Sequence, residues 1–350
     1  MSVSRREMRK QKRSKSKFRR FMKFTLVTMA ILLVFAGLGA AYIINQINTV
    51  TSNTQLELER GSHSEYREEE VSLSSDPVSV LFLGIDSRDS NLRGLSDAMV
   101  LATFNPNEGT VKMLNIPRDS RVEIVGRGTQ DKINHAHAFG GVDMTIDTVE
   151  NFLQVPVDYF ATINFTAFME IIDAFGGVEV EVPFSFTEID SEDNQGEITV
   201  EEGTQNLMGE EALAFVRTRR FDSDLARGER QKEVIEALIR EAASLSSITR
   251  YGDVMDSVED HMKTNLSFSD LVGFHSYSDS LDTIESLSFK GTDNTIDGVY
   301  YYQVNEDSLA EISTRLRVHL ELEEAAAEQS EEDSEGEAAG ETGEAGSQNQ

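Results

Sequence analysis

Three stretches in the first half of the chain have the hydrophobic pattern of buried β-strands. They are continuous apolar runs at residues 78–85 (VSVLFLGI), 98–104 (AMVLATF) and 110–116 (TVKMLNI). Runs of this length are typical of core strands, and the turn-like segment NPNEG separates the second from the third. We therefore expect all three strands to lie in one sheet.

Apolar residues recur with a helical period of 3.6 in the segments that follow. Gly176 and Gly177 provide a stop after the second such segment, and VEVEVP then alternates like a strand with one face inward. A third helical segment, ERQKEVIEALIREAASL, comes later. The apolar positions are Val142, Ile146, Val149 and Leu153 in the first helix; Phe165, Phe168, Met169, Ile172 and Phe175 in the second; Val178, Val180 and Val182 in the strand; and Val234, Leu238, Ile239 and Ala242 in the third helix.

This order of strands and helices predicts an α/β sandwich. Residues 76–320 contain no low-complexity break, and they are numerous enough for one large domain with a substantial core.

The N-terminal part of the chain has the pattern of a membrane anchor. Residues 24–47 contain no charged side chain, and about 20 apolar residues span the hydrocarbon core of a bilayer. Residues 1–23 hold eleven Lys/Arg and one acidic residue, so the positive-inside rule places them in the cytoplasm and the rest of the chain outside. A cleavable signal ending at GLGAA is the alternative, although its apolar core would be shorter.

Charge divides the remainder of the chain. Residues 48–75 are polar without an apolar period, which predicts an extracytoplasmic linker, and residues 321–350 carry eleven acids and no base, which predicts a disordered tail. The net charge of the whole chain is −30, which argues against a nucleic-acid partner. The chain has no cysteine, so disulfides and thiolate chemistry are excluded.

Five arginines nevertheless fall within fifteen residues of this acidic chain, in RTRRFDSDLARGERQ. Arginine holds phosphate well because its planar guanidinium donates two parallel hydrogen bonds and keeps its charge. The cluster therefore indicates a polyanionic ligand, while a solvated helix face with surface ion pairs is the alternative. Its members are Arg217, Arg219, Arg220, Arg227 and Arg230.

Polar residues also stand where the predicted strands end, which is where open α/β sheets bind ligands. Asp86 follows the first strand and Asp97 opens the second; two such carboxylates suit Mg²⁺ or Mn²⁺ better than zinc. An ordinary turn at Asp86 and a cap at Asp97 explain the same spacing. Arg118 follows the third strand, and we expect structural roles for His135 and His137.

Taken in order, these segments resemble the LytR-CpsA-Psr family of membrane-anchored bacterial cell-wall enzymes. The resemblance runs from about Val80 to Phe289, through GIDSRDSNLRGLSDAMVL, MLNIPRDSRVEI, KINHAHAFGG, DYFATINFTAFMEIIDAFGGVEVEVP, GTQNLMGEEALAFVRTRR and DSDLARGERQ. It implies an α-β-α sandwich around a mixed central sheet. It also implies a single-pass protein of the bacterial cell membrane, with a cytoplasmic N-terminus and an extracytoplasmic catalytic domain.

The resemblance implies a role for each site residue. Asp86 and Asp97 match the family's carboxylates at a Mg²⁺–pyrophosphate site. Either is our candidate for the general base, and the substrate phosphate is the alternative because a metal-bound aspartate is a poor base. One departure is Leu95, which stands where family members commonly have an arginine, so that Arg93 or Arg88 substitutes for it or the donor is held differently. The pyrophosphate-binding residues would be Arg118, Arg217, Arg219, Arg227 and Gln231, with Arg230 beside them. The walls of a lipid tunnel would include Phe160, Phe165, Phe168, Met169 and Phe175, and simple core packing is the favoured alternative for any one of these five.

The implied reaction moves an anionic glycopolymer phosphate, of teichoic acid type, from a polyprenyl-pyrophosphate carrier to a sugar hydroxyl of peptidoglycan. Two alternatives remain open. A lipid-pyrophosphate hydrolase would use water as the acceptor, and a binding or regulatory protein would hold the lipid-linked glycan without transferring it.

Overall fold

The computed structural model describes residues 55–87, 92–192, 194, 196–218, 224–243, 254, 258, 260–267, 270, 273–277 and 284–323. Within these ranges five strands come first, and helices and further strands follow them. The elements are β1 (Val78–Ile85), β2 (Ser96–Asn105), β3 (Thr110–Asn115), β4 (Arg121–Ile124), β5 (Thr129–Lys132), α1 (His135–Leu153), β6 (Tyr159–Asn164), α2 (Phe165–Phe175), β7 (Val178–Val182), β8 (Phe186–Glu188), β9 (Ile198–Val200), β10 (Gly203–Leu207), α3 (Gly209–Arg217), α4 (Asp224–Ala243), β11 (Met262–Thr264), a 3₁₀ turn (Phe274–Tyr277), β12 (Ile284–Leu287), β13 (Gly291–Ile296), β14 (Val299–Val304) and α5 (Glu306–His319).

A six-stranded mixed sheet forms the centre, in the order β11-β6-β1-β2-β3-β12. β1 pairs parallel with β6, and β3 pairs parallel with β12. The other pairings in this sheet are antiparallel. The mixed central sheet is thus confirmed.

Helices cover both faces of this sheet because successive strand residues alternate between them. Leu81 and Leu83 of β1 share a buried cluster with α1 and α5, whereas Val78 and Val80 pack with Ile239 of α4. Helices α2, α3 and α4 pack together on this second face, over β7 and β10. The predicted α-β-α sandwich is therefore confirmed.

The hydrophobic pattern located the elements well. β1 coincides with the predicted run, and the inward valines of β7 are buried as expected. α2 spans the predicted segment and ends at Gly176, which adopts the left-handed conformation at φ 89°. α1 begins seven residues before the predicted apolar stripe, with a break at Gly140 and Gly141, where φ reaches 67° at Gly141.

Residues 55–76, which we call the N-terminal strap, pack on the domain. Gln55 forms a β-bridge with Thr264 of β11, and Leu73 is fully buried. Arg67 makes a bidentate ion pair with Asp158, with Nε–Oδ1 at 3.0 Å and Nη2–Oδ2 at 2.7 Å. The folded unit therefore extends into the predicted linker (48–75).

Three other predicted segments lie outside the described residues: the basic segment (1–23), the anchor (24–47), and the acidic tail (321–350) from residue 324 onward. Across the part of the chain that the structure describes, no helix is both long and apolar enough to cross a bilayer.

Candidate functional site

An apolar cavity of about 440 Å³ lies between the central sheet and helices α2, α3 and α4. The sheet contributes Phe82, Ala161 and Ile163, and the helices contribute Leu213, Ile235 and Leu238 among other apolar side chains. A space of this size and composition suits a hydrocarbon chain.

The five predicted tunnel residues are divided by the sheet. Phe165, Phe168 and Phe175 line the cavity. Phe160 does not: it is fully buried on the opposite face, within the cluster shared with α1 and α5. Met169 packs in the α2–α3 cluster, where its backbone lies against Gly209.

One end of the apolar cavity is polar and charged. Asp86 and Asp97 meet there because β1 and β2 are antiparallel, with Ile85 paired to Ser96, so the end of one strand adjoins the start of the other. The backbone N–H of Asp86 donates to the carbonyl of Leu95 at 3.2 Å, which ties the two strand ends together.

Three further side chains from helices reach this end. Arg217, the last residue of α3, lies 4.9 Å from the centre of the Phe165 ring, a cation–π contact that orients its guanidinium. Arg227 and Gln231 are one turn apart on α4 and so share a face. Gly228 allows α4 to lie close to the end of β3, because a Cβ at this position would collide with the Asn115 side chain.

A second, polar cavity of about 250 Å³ adjoins the first. Asp97, Arg227 and Gln231 line both, so they form the boundary between an apolar and a polar space. Arg118 lines the polar cavity and donates from Nη1 to Oδ1 of Asp97 at 2.8 Å.

Charges alternate along this wall of the polar cavity. Nε of Arg118 lies 3.5 Å from Asp119, and Nζ of Lys132 donates to Asp119 at 2.6 Å. Each cation therefore has a carboxylate partner in the row Asp97, Arg118, Asp119, Lys132. Such pairing fixes the Arg118 fork in place before any ligand arrives.

Some predicted site residues are not brought to either cavity. Arg93 is exposed and lines neither, and Leu95 is exposed by 38%. Arg230 is buried and donates to the carbonyls of Phe215 (3.0 Å) and Thr218 (2.6 Å), so it secures the C-terminal end of α3. Arg88, Arg219 and Arg220 lie outside the described residues.

The two histidines make local contacts. His135 Nδ1 lies 2.8 Å from Oδ2 of Asp131. His137 is buried, its Nδ1–H donates to the Gly94 carbonyl at 3.0 Å, and burial lowers its pKa, which keeps the ring neutral. It joins the start of α1 to the loop after β1, which agrees with a structural role.

The donor set at the boundary fits a magnesium ion. Among the described residues no group of three or more His, Asp or Glu side chains forms a complete protein cage. Mg²⁺ does not require one, because it is commonly held by one or two carboxylates together with phosphate oxygens and water. Asp86 and Asp97 would supply the carboxylates of such a site, and Arg217 and Arg227 line the same cavity.

The sequence did not indicate four polar side chains of this cavity. Asn115 ends β3, while Asp293, Tyr300 and Tyr302 belong to the β13–β14 hairpin. A parallel bridge between Ser120 and Tyr302 brings the hairpin to the site. Ser120 and Tyr302 lie far apart along the chain, so no local pattern of residues could have indicated this pairing.

The model of the LytR-CpsA-Psr family matches residues 41–318. The polyisoprenyl-teichoic acid–peptidoglycan teichoic acid transferase TagT of Bacillus subtilis is 43% identical over 320 residues, covering 90% of this chain and 99% of TagT. TagU of Halalkalibacterium halodurans, named for the same activity, is 40% identical, covering 86% of this chain and all of TagU.

Solved structures agree with these similarities. TagT bound to LIIa-WTA superposes with a TM-score of 0.66 at 43% identity, covering 76% of this chain and 99% of that one. TagT (YwtF) with bound octaprenyl pyrophosphate lipid gives a TM-score of 0.62 at 41% identity, covering 76% of this chain and 99% of that one.

Proposed function

This chain belongs to the LytR-CpsA-Psr family, and from that premise we propose that it is a membrane-anchored phosphotransferase of cell-wall assembly. It would move an anionic glycopolymer phosphate of teichoic acid type from a polyprenyl-pyrophosphate carrier to a sugar hydroxyl of peptidoglycan. The observation that carries the proposal is the boundary at Asp97, Arg227 and Gln231, where an apolar cavity meets a polar one. A substrate with a lipid tail, a pyrophosphate and a sugar presents the same order of chemistry.

In this proposal the lipid tail lies in the apolar cavity, along Phe165, Phe168 and Phe175. The pyrophosphate lies at the boundary, where Arg118, Arg217 and Arg227 oppose its charge. Asp86 and Asp97 would hold Mg²⁺ (or Mn²⁺), which neutralises phosphate charge when bound. Arg219 and Arg88 lie outside the described residues, so their proposed contacts with phosphate rest only on the family resemblance.

The reaction is an in-line displacement at the glycan-side phosphorus. The acceptor oxygen forms a bond to that phosphorus, and the bond to the lipid-phosphate oxygen breaks with its electron pair. The arginines stabilise charge on the non-bridging and leaving oxygens. A carboxylate takes the hydroxyl proton, and Asp97 is our candidate because it lines both cavities, whereas Asp86 lines only the apolar one of the two.

The same proposal gives the location. Residues 24–47 would anchor the chain as a single membrane helix, with residues 1–23 in the cytoplasm and the catalytic domain outside.

A transfer assay tests the function. The full-length chain in detergent is given Mg²⁺, peptidoglycan and a polyprenyl-pyrophosphate glycan labelled in the sugar. We expect label to move to peptidoglycan, and Asp97→Ala and Arg217→Ala each to slow transfer by about 100-fold or more, the usual effect of removing one charge-stabilising group.

Arg315→Ala is the matched control, because Arg315 lies on α5, across the sheet from the site, and pairs with Glu285. Release of labelled glycan phosphate to water, without transfer, would replace the proposal with a hydrolase. Tight lipid binding with neither transfer nor release would replace it with a binding protein.

A further inference from the structure

The polar cavity has a wall that the proposed pyrophosphate site does not use. This wall is the β13–β14 hairpin, which contributes Asp293, Tyr300 and Tyr302 opposite Asn115 of β3. Tyr300 is 40% exposed, and its hydroxyl donates to Oδ1 of Asp293 at 2.8 Å. The cavity is therefore lined by a partly exposed aromatic ring bonded to a carboxylate, with Lys132 Nζ 5.7 Å from the ring centre, and by an amide side chain.

The hairpin is fixed in place by contacts with the rest of the domain. The backbone N–H of Tyr302 donates to the Asp119 carbonyl at 2.9 Å, and the Tyr302 hydroxyl donates to the Phe289 carbonyl at 3.1 Å. Tyr302 is buried and holds β14 in place. Tyr300 lies two residues earlier on the same strand, so its position is fixed as well. The same contacts set the distance from Tyr300 to the loop that carries Arg118.

This combination of groups suits a sugar ring. A pyranose has a face of C–H groups that packs on an aromatic ring, and a rim of hydroxyls that needs carboxylate, amide or guanidinium partners. Tyr300 supplies the ring, and Asp293 and Asn115 supply hydrogen-bonding atoms. An apolar lipid tail here would displace water from Asp293 and Asn115 without replacing its hydrogen bonds, which is costly.

The in-line geometry of phosphoryl transfer indicates which sugar would occupy the polar cavity. Attacking and leaving oxygens lie roughly in line across the phosphorus. In the proposed reaction the lipid phosphate leaves toward the apolar cavity. The hydroxyl of the acceptor sugar must therefore attack from the opposite side, which is the polar cavity beyond Asp97.

Resting on the proposed function, we propose that the polar cavity is the subsite for the acceptor sugar of peptidoglycan. Tyr300 is the aromatic platform under that sugar, and Asp293 orients both the Tyr300 ring and the sugar hydroxyls. Both are positioning residues, which bring the acceptor hydroxyl to the phosphorus. The first sugar of the donor shares the same chemistry, so the experiment measures donor and acceptor separately.

The test compares Tyr300→Ala, Tyr300→Phe and wild type in two assays on the full-length chain. Calorimetric titration with soluble, lipid-free peptidoglycan glycan fragments measures acceptor binding without any transfer. Steady-state transfer gives KM for acceptor and for donor. We expect Tyr300→Ala to weaken fragment binding and raise the acceptor KM by about tenfold with the donor KM unchanged. Tyr300→Phe, which keeps the ring and loses the Asp293 contact, should fall in between.

Tyr301→Ala is the matched control, since Tyr301 is the next residue of β14 but contacts Asp131 and Arg121 and does not line the cavity. A rise in the donor KM alone would overturn the acceptor assignment in favour of a donor-sugar subsite. Unchanged binding and kinetics in Tyr300→Ala would overturn the subsite altogether. Fragment binding that depends on Tyr300 in a chain without transfer would support the subsite while refuting the transferase.

Discussion

His319 is a buried imidazole at the end of α5, far along the chain from its partners. Its Nδ1 lies 2.7 Å from the Thr103 hydroxyl and its Nε2 lies 2.8 Å from the Thr110 hydroxyl. Only 1% of the residue is exposed. Burial, reinforced by the charge of Lys112, lowers the pKa of His319 from 6.5 to about 4, so the folded protein holds this ring neutral.

Acid should therefore weaken the fold through His319. Between pH 6.5 and about 4 the unfolded chain binds a proton at this residue and the folded chain does not, so the unfolding free energy falls as the pH is lowered across that window. The loss for this residue is at most about 3 kcal/mol. Urea unfolding of wild type and His319→Gln at several pH values measures it; parallel pH profiles for the two proteins would contradict the prediction.

Arginines that are equivalent in the sequence have different roles. Arg217 lines the apolar cavity beside Phe165. Arg230 is buried and donates hydrogen bonds to two carbonyls at the C-terminal end of α3. Because both are arginines of the same cluster, the sequence predicted that both would contact phosphate. The difference depends on where α4 crosses α3, and a local pattern does not contain that information.

At the scale of elements, the central sheet separates a packed core from the apolar cavity. In β6, Phe160 points to the α1 and α5 face, whereas Ala161 and Ile163 point to the apolar cavity. The alternation of a strand fixes this division once one residue is placed. Phenylalanines of the same predicted tunnel therefore have different surroundings.

Phe160→Ala and Phe168→Ala should separate these two faces. Phe160→Ala removes a fully buried ring and should lower the unfolding free energy by about 3–5 kcal/mol, with lipid binding intact. Phe168→Ala, on the half-buried cavity wall, should cost less stability and weaken octaprenyl-pyrophosphate binding. Denaturant unfolding and lipid titration measure the two effects, and equal lipid affinity in both variants would show that Phe168 is not part of the lipid site.

At the scale of the whole molecule, the N-terminal strap joins the domain to the segment predicted to cross the membrane. Arg60 pairs with Glu150 at 2.7 Å, and Arg67 pairs with Asp158, whose side chain is 3% exposed. Leu73 is buried with β1, β2 and the 3₁₀ turn. Leu58 joins the core on the other face of the sheet. The strap is therefore a structural part of the domain.

Arg67→Ala should destabilise the protein, because it leaves the buried Asp158 carboxylate without its cation. Breaking a buried pair in this way costs about 3–5 kcal/mol. Arg315→Ala, which removes an exposed partner of Glu285, should cost less than about 1 kcal/mol. Thermal and urea unfolding of both variants would reveal the difference; similar losses would mean that the strap ion pair is not a major contact.

The sequence by itself determined the order of the elements, because apolar period and turn residues act locally: β1, β7 and α2 were predicted at or near their bounds. It also placed Asp86, Asp97 and Arg118 at or just beyond strand ends, because these residues adjoin the apolar runs that predict the strands. Tertiary structure alone decided which side chains face the cavities. The exclusion of Phe160, the capping role of Arg230, and the meeting of Tyr300 and Asp293 with Asn115 depend on the pairing of segments distant along the chain. No local pattern of residues encodes such pairings.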